Sequence, residues 1–178
     1  MDAKLFLVLI MEGEGRKLNS ARIYLLTGTG IGKTTAAVGR AIRFVGEGKR
    51  VVMVQLMKGS GTTGELLIQK RLHPDLQVYQ CGRAGWVDLD NPSQQDRELA
   101  HTALERAREL VRVEQPDMLI LDEVNLACHI GLIGVDEVLE LLDELPARLV
   151  VILTGRYAPV ALVKRADVVS EILDIKHP

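Results

Sequence analysis

Short apolar segments alternate with longer amphipathic ones along most of the chain. Segments of four to six mainly apolar residues are typical of buried strands. We expect six strands, at residues 23–26, 51–56, 76–80, 118–121, 149–153 and near 170–175. Between them, apolar residues recur every three or four positions, which predicts helices at about 36–45, 65–72, 91–114, 136–145 and 159–165. This alternation predicts an α/β fold, with a mostly parallel sheet covered by helices on both faces.

Two of the predicted helices have a clear apolar face. In the first helix this face consists of Ala37, Ala41, Phe44 and Val45. In the long third helix it consists of Leu99, Ala103, Ala107, Leu110 and Val111. Asn91 and Pro92 predict the start of that long helix, because asparagine caps free backbone N–H groups and proline fits the first turn.

A glycine-rich loop joins the first predicted strand to the first predicted helix. Its sequence is Thr27-Gly28-Thr29-Gly30-Ile31-Gly32-Lys33-Thr34-Thr35. In a phosphate-binding loop, the glycines let backbone N–H groups turn toward phosphate oxygens, and the helix N-terminus adds positive dipole charge. Lys33 then contacts the phosphates, and the Thr34 hydroxyl binds Mg²⁺. The flanking strand and helix favour this interpretation over a glycine-rich turn that only caps a helix.

The loop is one residue shorter than the usual phosphate loop. In the pattern G-x-x-x-x-G-K the first glycine would stand at Thr27, but it comes one residue later, at Gly28. A shorter loop can still surround an anion, although it need not hold a triphosphate in the usual direction. The chain is therefore predicted to be a nucleotide-binding protein of the P-loop NTPase type, RecA-like in fold.

Other polar residues and one aromatic residue lie at the ends of predicted strands or in the loops that follow them. Ligands of parallel sheets bind beyond the carboxyl ends of the strands, so we expect these residues to share one edge with the phosphate loop. They are Gln55, Lys58, Trp86, Asp122, Glu123 and Arg156. Asp122 and Glu123 are either ligands of Mg²⁺ opposite Thr34, or a helix cap, or solvated charges of a loop. Lys58 and Arg156 either bind phosphate oxygens or are ordinary surface cations.

Trp86 is the only tryptophan of a chain in which 3% of the residues are aromatic. It either fills the core or offers a flat platform to a ligand. Two cysteines and four histidines show no spacing typical of a disulfide framework, a zinc site or a haem site. The cysteines are most simply free thiols in a reducing cytoplasm. The net charge of −2, without a basic block, argues against a nucleic-acid surface.

The length of 178 residues suits one domain, which we place at residues 22–178 after an N-terminal extension at 1–21. The extension contains an apolar run at 5–11, far shorter than the roughly 20 residues that cross a bilayer. No secretory cleavage site follows it, and no membrane segment is expected. The run is either an extra edge strand or a segment that covers a groove or partner. Met11 is an alternative start of translation.

The residues by themselves predict a nucleotide-binding enzyme without specifying its reaction. A RecA-like ATPase, a nucleoside kinase and a non-catalytic nucleotide-binding module all remain open. Several motifs in order, however, resemble the short-P-loop family of ATP:corrinoid adenosyltransferases. They are the loop at 27–35, Val54-Gln55-Leu56-Met57-Lys58-Gly59, Leu121-Asp122-Glu123, Leu153-Thr154-Gly155-Arg156, Ala166-Asp167-Val168-Val169-Ser170-Glu171 and Lys176-His177. The resemblance extends over about residues 22–178.

The resemblance implies a reaction in which a corrinoid reduced to Co(I) attacks C5′ of ATP and releases triphosphate. It implies that ATP lies reversed in the loop, that Lys33, Thr34 and Glu123 are catalytic, and that Thr34, Asp122 and Glu123 hold Mg²⁺. The implied ATP- and corrinoid-binding residues are Gly28, Thr29, Gly30, Ile31, Gly32, Lys33, Thr34, Thr35, Lys58, Trp86 and Arg156. A cytoplasmic homodimer, with an electron-donating reductase as a possible partner, is also implied.

Three positions depart from the family pattern. The family commonly carries two aromatic residues in the loop after the third strand, whereas this chain has only Trp86, which is expected to displace the lower axial ligand of the corrinoid. Thr29 stands where the family often has asparagine, and Ile31 where it often has lysine. The missing lysine removes a cation near the phosphates, so we expect weaker ATP binding.

Overall fold

The computed structural model describes residues 20–59, 61–85 and 87–176. Six strands occur among these residues: β1 (Arg22–Thr27), β2 (Val51–Gln55), β3 (Leu76–Gln80), β4 (Met118–Asp122), β5 (Val150–Thr154) and β6 (Val168–Glu171). They form one sheet in the order β3-β2-β4-β5-β1-β6, and every pairing is parallel. The predicted parallel sheet is confirmed.

Six helices among the described residues connect the strands. They are α1 (Lys33–Gly46), α2 (Gly64–Leu72), α3 (Gln94–Glu114), α4 (Val124–His129), α5 (Val135–Glu144) and α6 (Val160–Arg165). None of these helices combines the length and the apolar character needed to cross a membrane. The predicted N-terminal extension lies outside the described residues except for Ser20 and Ala21, so its boundary stays a prediction.

The sheet separates two apolar clusters, and successive residues of a strand point into opposite clusters. Val52 and Val54 of β2 face the cluster covered by α3 to α6, whereas Val51 and Met53 face the cluster covered by α1 and α2. Full burial of one such side chain stabilises the fold by about 1.5–3 kcal/mol. Both faces are therefore covered, as the continuous apolar strands predict.

Helix α1 begins at Lys33, three residues earlier than predicted. Gly32 has a φ of +115°, a left-handed value outside the helical range, and so it marks the last residue of the loop. Thr34 and Thr35 consequently lie in the first turn of α1. Of the predicted apolar face, Ala37 and Ala41 are buried, whereas Phe44 and Val45 are only half-buried.

Helix α3 corrects two details of the prediction. Its N-cap is Ser93 rather than Asn91, because Ser93 and Asp96 complete a reciprocal capping box. The Asp96 N–H donates to Ser93 Oγ at 3.2 Å, and the Ser93 N–H donates to Asp96 Oδ2 at 3.0 Å. The buried face of the helix includes Ala100 and Leu104, which were not predicted. Leu99 is half-buried because it lies at the edge of this face.

Strand β6 lies earlier than the predicted 170–175, at Val168–Glu171. It pairs with β1 up to Thr27, where β1 ends and the phosphate loop begins. Beyond that point the chain follows the loop instead of a strand: the Ile172 N–H donates to the Thr27 carbonyl at 2.9 Å. Residues 172–174, which we call the C-terminal strap, therefore lie against the phosphate loop.

Candidate functional site

The predicted site residues converge at the carboxyl edge of four neighbouring strands. β2, β4, β5 and β1 are adjacent in the sheet, and the polar residues that follow them are brought side by side. The clearest link is between the loop and β4, since Thr34 Oγ1 donates to Asp122 Oδ1 at 2.8 Å. The expectation that these segments share one edge is confirmed for the described residues.

The phosphate loop is compact and closes on the side chain of Lys33. The Lys33 ammonium is buried and donates to the carbonyl oxygens of Gly28 and Gly30, at 2.8 and 2.6 Å. Burial lowers the pKa of Lys33, and the negative charge of Glu123 opposes that shift. The ammonium thus lies at the centre of the loop. Of the other side chains of the loop, those of Thr29, Ile31 and Thr35 are exposed, whereas Thr27 is buried and Thr34 is half-buried.

Asp122 is fully buried and accepts hydrogen bonds on both carboxylate oxygens. Oδ1 accepts from the hydroxyls of Thr34 and Thr154, at 2.8 and 2.7 Å. Oδ2 accepts from Gln55 Nε2 at 3.0 Å and lies 3.1 Å from the ammonium of Lys58. We call these five side chains the acid centre. A buried carboxylate with this many donors is held in one orientation.

Glu123 follows directly in sequence but lies in a different environment. Its backbone φ of +64° is left-handed, which is uncommon for a residue other than glycine, and its N–H donates to Thr154 Oγ1 at 3.0 Å. Its Oε2 atom is buried without a hydrogen-bond partner. Burial and, secondarily, the charge of Asp122 raise the pKa of Glu123, while Lys58, Lys33 and Arg156 act in the opposite direction. Its Oε2 atom could therefore accept a hydrogen bond or bind a cation.

The two predicted phosphate cations differ in how they are placed. Lys58 is already engaged, because its ammonium lies 3.1 Å from Asp122 Oδ2 and 3.7 Å from Glu65 Oε1. Arg156 is exposed, yet its charge acts on both Lys33 and Glu123. Arg156 is thus the more available of the two cations for an incoming anion.

Trp86 lies outside the described residues, and its role stays a prediction. The residues before it belong to the same edge of the sheet. The Gly82 N–H donates to the Lys58 carbonyl at 2.9 Å, and a Cβ atom at Gly59 would lie 2.0 Å from the Arg83 carbonyl oxygen. The loop after β3 is therefore packed directly on the segment that carries Lys58.

Sequence reasoning missed three contributors to this site. Thr154 joins β5 to the acid centre, Asn125 donates to the Leu26 carbonyl at 3.2 Å, and Asp174 accepts from the Ile31 N–H at 3.1 Å. Thr154 belongs to one of the family motifs, and its position at the end of a buried strand could have indicated that it reaches the site. Nothing in the sequence near Asn125 indicates a contact with β1, and nothing near Asp174 indicates a contact with the phosphate loop.

Solved structures with a similar fold include the flagellar accessory protein FlaH from Methanocaldococcus jannaschii. It superposes with a TM-score of 0.58 at 16% identity, covering 88% of this chain and 73% of FlaH. At this level of identity the likeness establishes the fold alone. The predicted fold class is confirmed.

Sequence comparison confirms the resemblance stated from the motifs. The family described as ATP:corrinoid adenosyltransferase BtuR/CobO/CobP matches residues 19–178. A corrinoid adenosyltransferase from Sinorhizobium sp is 40% identical over 159 residues, 88% of this chain and 73% of the relative. Another, from Escherichia coli strain K12, is 34% identical over 155 residues, 87% of this chain and 78% of the relative. The chain belongs to the ATP:corrinoid adenosyltransferase family.

Proposed function

We propose that the protein transfers the 5′-deoxyadenosyl group of ATP to the Co(I) centre of a reduced corrinoid, in the biosynthesis or salvage of cobalamin. Family membership supports this activity over a RecA-like ATPase or a nucleoside kinase. The structural observation that carries the assignment to this site is the bond from Thr34 of the short phosphate loop to Asp122, with Glu123 beside it.

The reaction makes one bond and breaks one bond at the same carbon. The electron pair of Co(I) forms the cobalt–C5′ bond, and the pair of the C5′–O bond leaves on triphosphate. Because Co(I) supplies the electron pair itself, the enzyme needs no general base. Its task is to hold the triphosphate so that C5′ faces the corrinoid, and to stabilise the charge that grows on the departing oxygen.

The phosphate loop is suited to that task. Its backbone N–H groups and the N-terminus of α1 are positive partners for a triphosphate. Lys33 is buried at the centre of the loop, so its charge acts on a bound anion with little screening by water. Arg156, exposed beside Lys33 and Glu123, is proposed to bind outer phosphate oxygens.

Thr34 and Glu123, which lie on either side of Asp122, fit a magnesium ion. Among residues 20–59, 61–85 and 87–176, no group of three or more His, Cys, Asp or Glu side chains could hold a metal by itself. Magnesium sites in nucleotide enzymes commonly use one or two carboxylates and complete their ligands with substrate phosphates and water. The unpartnered Oε2 of Glu123 and the Thr34 hydroxyl oriented by Asp122 suit such a site. Bound Mg²⁺ would neutralise charge on the leaving triphosphate.

A direct assay tests the proposed function. Incubation of the protein with MgATP and chemically reduced cobalamin in the dark should give a light-sensitive adenosylated product and an equal amount of triphosphate. Omitting the corrinoid should abolish ATP consumption. Release of ADP or orthophosphate without an alkylcobalt product would contradict the proposal and favour the ATPase or kinase.

Three further expectations from the family resemblance stay predictions. They are the homodimer, the electron-donating reductase, and the displacement of the lower axial corrinoid ligand by Trp86. The last has a specific consequence: Trp86→Ala should lower activity coupled to corrinoid reduction more than activity with pre-reduced cobalamin. Equal losses in the two assays would remove Trp86 from this role.

A further inference from the structure

The C-terminal strap places a carboxylate on the phosphate loop. The Ile31 N–H donates to Asp174 Oδ1 at 3.1 Å, although the two residues are 143 positions apart in sequence. Backbone N–H groups of such a loop are donors for phosphate oxygens. The Asp174 carboxylate therefore already engages one of these donors, which is then not free to donate to a phosphate oxygen.

The strap is fixed against the loop by more than this one bond. The Gly30 N–H donates to the Ile172 carbonyl at 2.8 Å. A Cβ atom at Gly28 would lie 2.3 Å from the Ile172 carbonyl oxygen, and one at Gly30 would lie 2.9 Å from the Asp174 backbone nitrogen. Because the two backbones are in contact here, the position of Asp174 follows from the fold rather than from its own side chain.

The charge of Asp174 also reaches the centre of the loop. Burial lowers the pKa of Lys33, and Asp174 is one of the two carboxylates whose charge opposes that shift. Asp174 thus interacts with two groups that would serve a bound triphosphate, the Ile31 N–H and the Lys33 ammonium. A second anion at this loop is repelled as long as the carboxylate stays there.

We propose that Asp174 is a built-in competitor of the triphosphate group, which weakens phosphate binding at the loop and speeds release of the triphosphate product. This inference rests on the proposed function, since it assumes that the loop binds the tail of ATP. Inorganic triphosphate carries more charge than the esterified tail of ATP, so the carboxylate should discriminate against the product more strongly than against the substrate.

Calorimetric titration with inorganic tripolyphosphate and Mg²⁺ tests the proposal on the full chain. Asp174→Ala removes both charge and acceptor, and Asp174→Asn removes the charge while keeping an acceptor oxygen. Loss of the hydrogen-bonded competitor is expected to tighten tripolyphosphate binding by about 3- to 10-fold in Asp174→Ala, and by a smaller factor in Asp174→Asn, which loses only the charge. Inhibition of turnover by added tripolyphosphate should strengthen by a similar factor.

Glu171→Gln is the matched control, because it removes a negative charge from the neighbouring strand without touching the Ile31 N–H. It should change the affinity by less than about twofold. Unchanged or weaker binding in the Asp174 variants would overturn the proposal, as would an equal gain in Glu171→Gln. Absence of tripolyphosphate binding to every protein would overturn it as well.

The outcomes also separate this inference from the proposed function. If the wild-type protein forms the adenosylated corrinoid but the Asp174 variants bind tripolyphosphate no more tightly, only the role of Asp174 fails. If no adenosylated product forms, yet the Asp174 variants bind tripolyphosphate more tightly, the competitor role stands and the assignment of the reaction fails.

Discussion

The acid centre and the phosphate loop meet at one edge of the sheet, but they are held in different ways. Asp122 is positioned by side chains on adjacent parallel strands, and both of its oxygens are occupied. The loop is positioned by backbone contacts with the C-terminal strap and by Lys33, which bonds to the loop's own carbonyls. The acid centre is therefore satisfied before any ligand arrives, whereas the loop carries contacts that a ligand must replace.

This difference predicts that substitutions in the two regions separate activity from stability. Removing a group of the loop that serves the ligand should lower activity and leave the fold intact. Removing the acceptor at the acid centre should damage the fold itself, because several buried donors lose their partner at once. The substitutions below test this separation, beginning with the largest expected effect.

Lys33→Ala should lower the rate of adenosyl transfer by about 10²- to 10³-fold, the range measured when one group that stabilises a leaving charge is removed. The variant should still fold, since the lysine bonds only to two carbonyls that water can reach once the side chain is gone. Turnover with MgATP and reduced cobalamin measures the first effect, and thermal unfolding measures the second. Lys49→Ala, at a half-buried lysine that pairs with Glu47, should keep wild-type turnover and change the stability by no more than about 1 kcal/mol. A Lys33→Ala variant with wild-type turnover would refute the assignment of the phosphate loop.

Asp122→Ala should lower the free energy of unfolding by about 3–5 kcal/mol, the usual cost of removing one partner of a buried charged network. Gln55 and Thr154 are fully buried and would be left without their acceptor. Urea unfolding at neutral pH measures this change. The same substitution at the exposed Asp143, which pairs with Arg165 at 2.9 Å, should cost no more than about 1 kcal/mol. Similar losses in the two variants would mean that the acid centre does not stabilise the fold as described.

Gly28→Ala should destabilise the protein by about 2–4 kcal/mol, because it combines a left-handed φ of +96° with a Cβ atom that meets the strap. Gly32→Ala carries only the first cost, of about 1–2 kcal/mol, since a Cβ atom at Gly32 would have no neighbouring atom within 4 Å. Gly39→Ala, in open space within α1, should instead stabilise by about 0.5–1 kcal/mol. Thermal and urea unfolding of the three variants check this order. An equal loss of stability at Gly28 and Gly32 would show that the strap can move away from the added Cβ atom at little cost in free energy.

The positions of the phosphate loop and of Asp122 and Glu123 could be predicted because their signals in the sequence are local. Glycines followed by lysine and threonine lie within nine residues of sequence, and Asp122 directly follows an apolar run. The partners of these groups could not be predicted in the same way. Thr154 lies 32 residues after Asp122, and Asp174 lies 143 residues after Ile31, so each contact depends on strand order and register. The prediction of β6 was wrong at both limits for the same reason, since its pairing with β1 stops at Glu171, where β1 ends.

The neighbouring carboxylates Asp122 and Glu123 give the smallest and most specific test. Glu123→Gln should raise the free energy of unfolding and should lower adenosyl transfer, because it removes a buried charge that the fold by itself does not satisfy. Burial raises the pKa of Glu123, so the folded protein binds this proton at a higher pH than the unfolded chain does. Ionisation therefore opposes folding, and the advantage of glutamine should be full above the folded-state pKa of Glu123. It should shrink as the pH falls from that value toward the lower pKa of the unfolded chain, and vanish below the latter. Thermal unfolding across this pH range measures the change, with Glu140→Gln, an exposed glutamate of α5, as the control that should stay at wild-type stability. A destabilised Glu123→Gln would place Glu123 with Asp122, as a residue whose charge holds the fold together rather than one kept for the ligand.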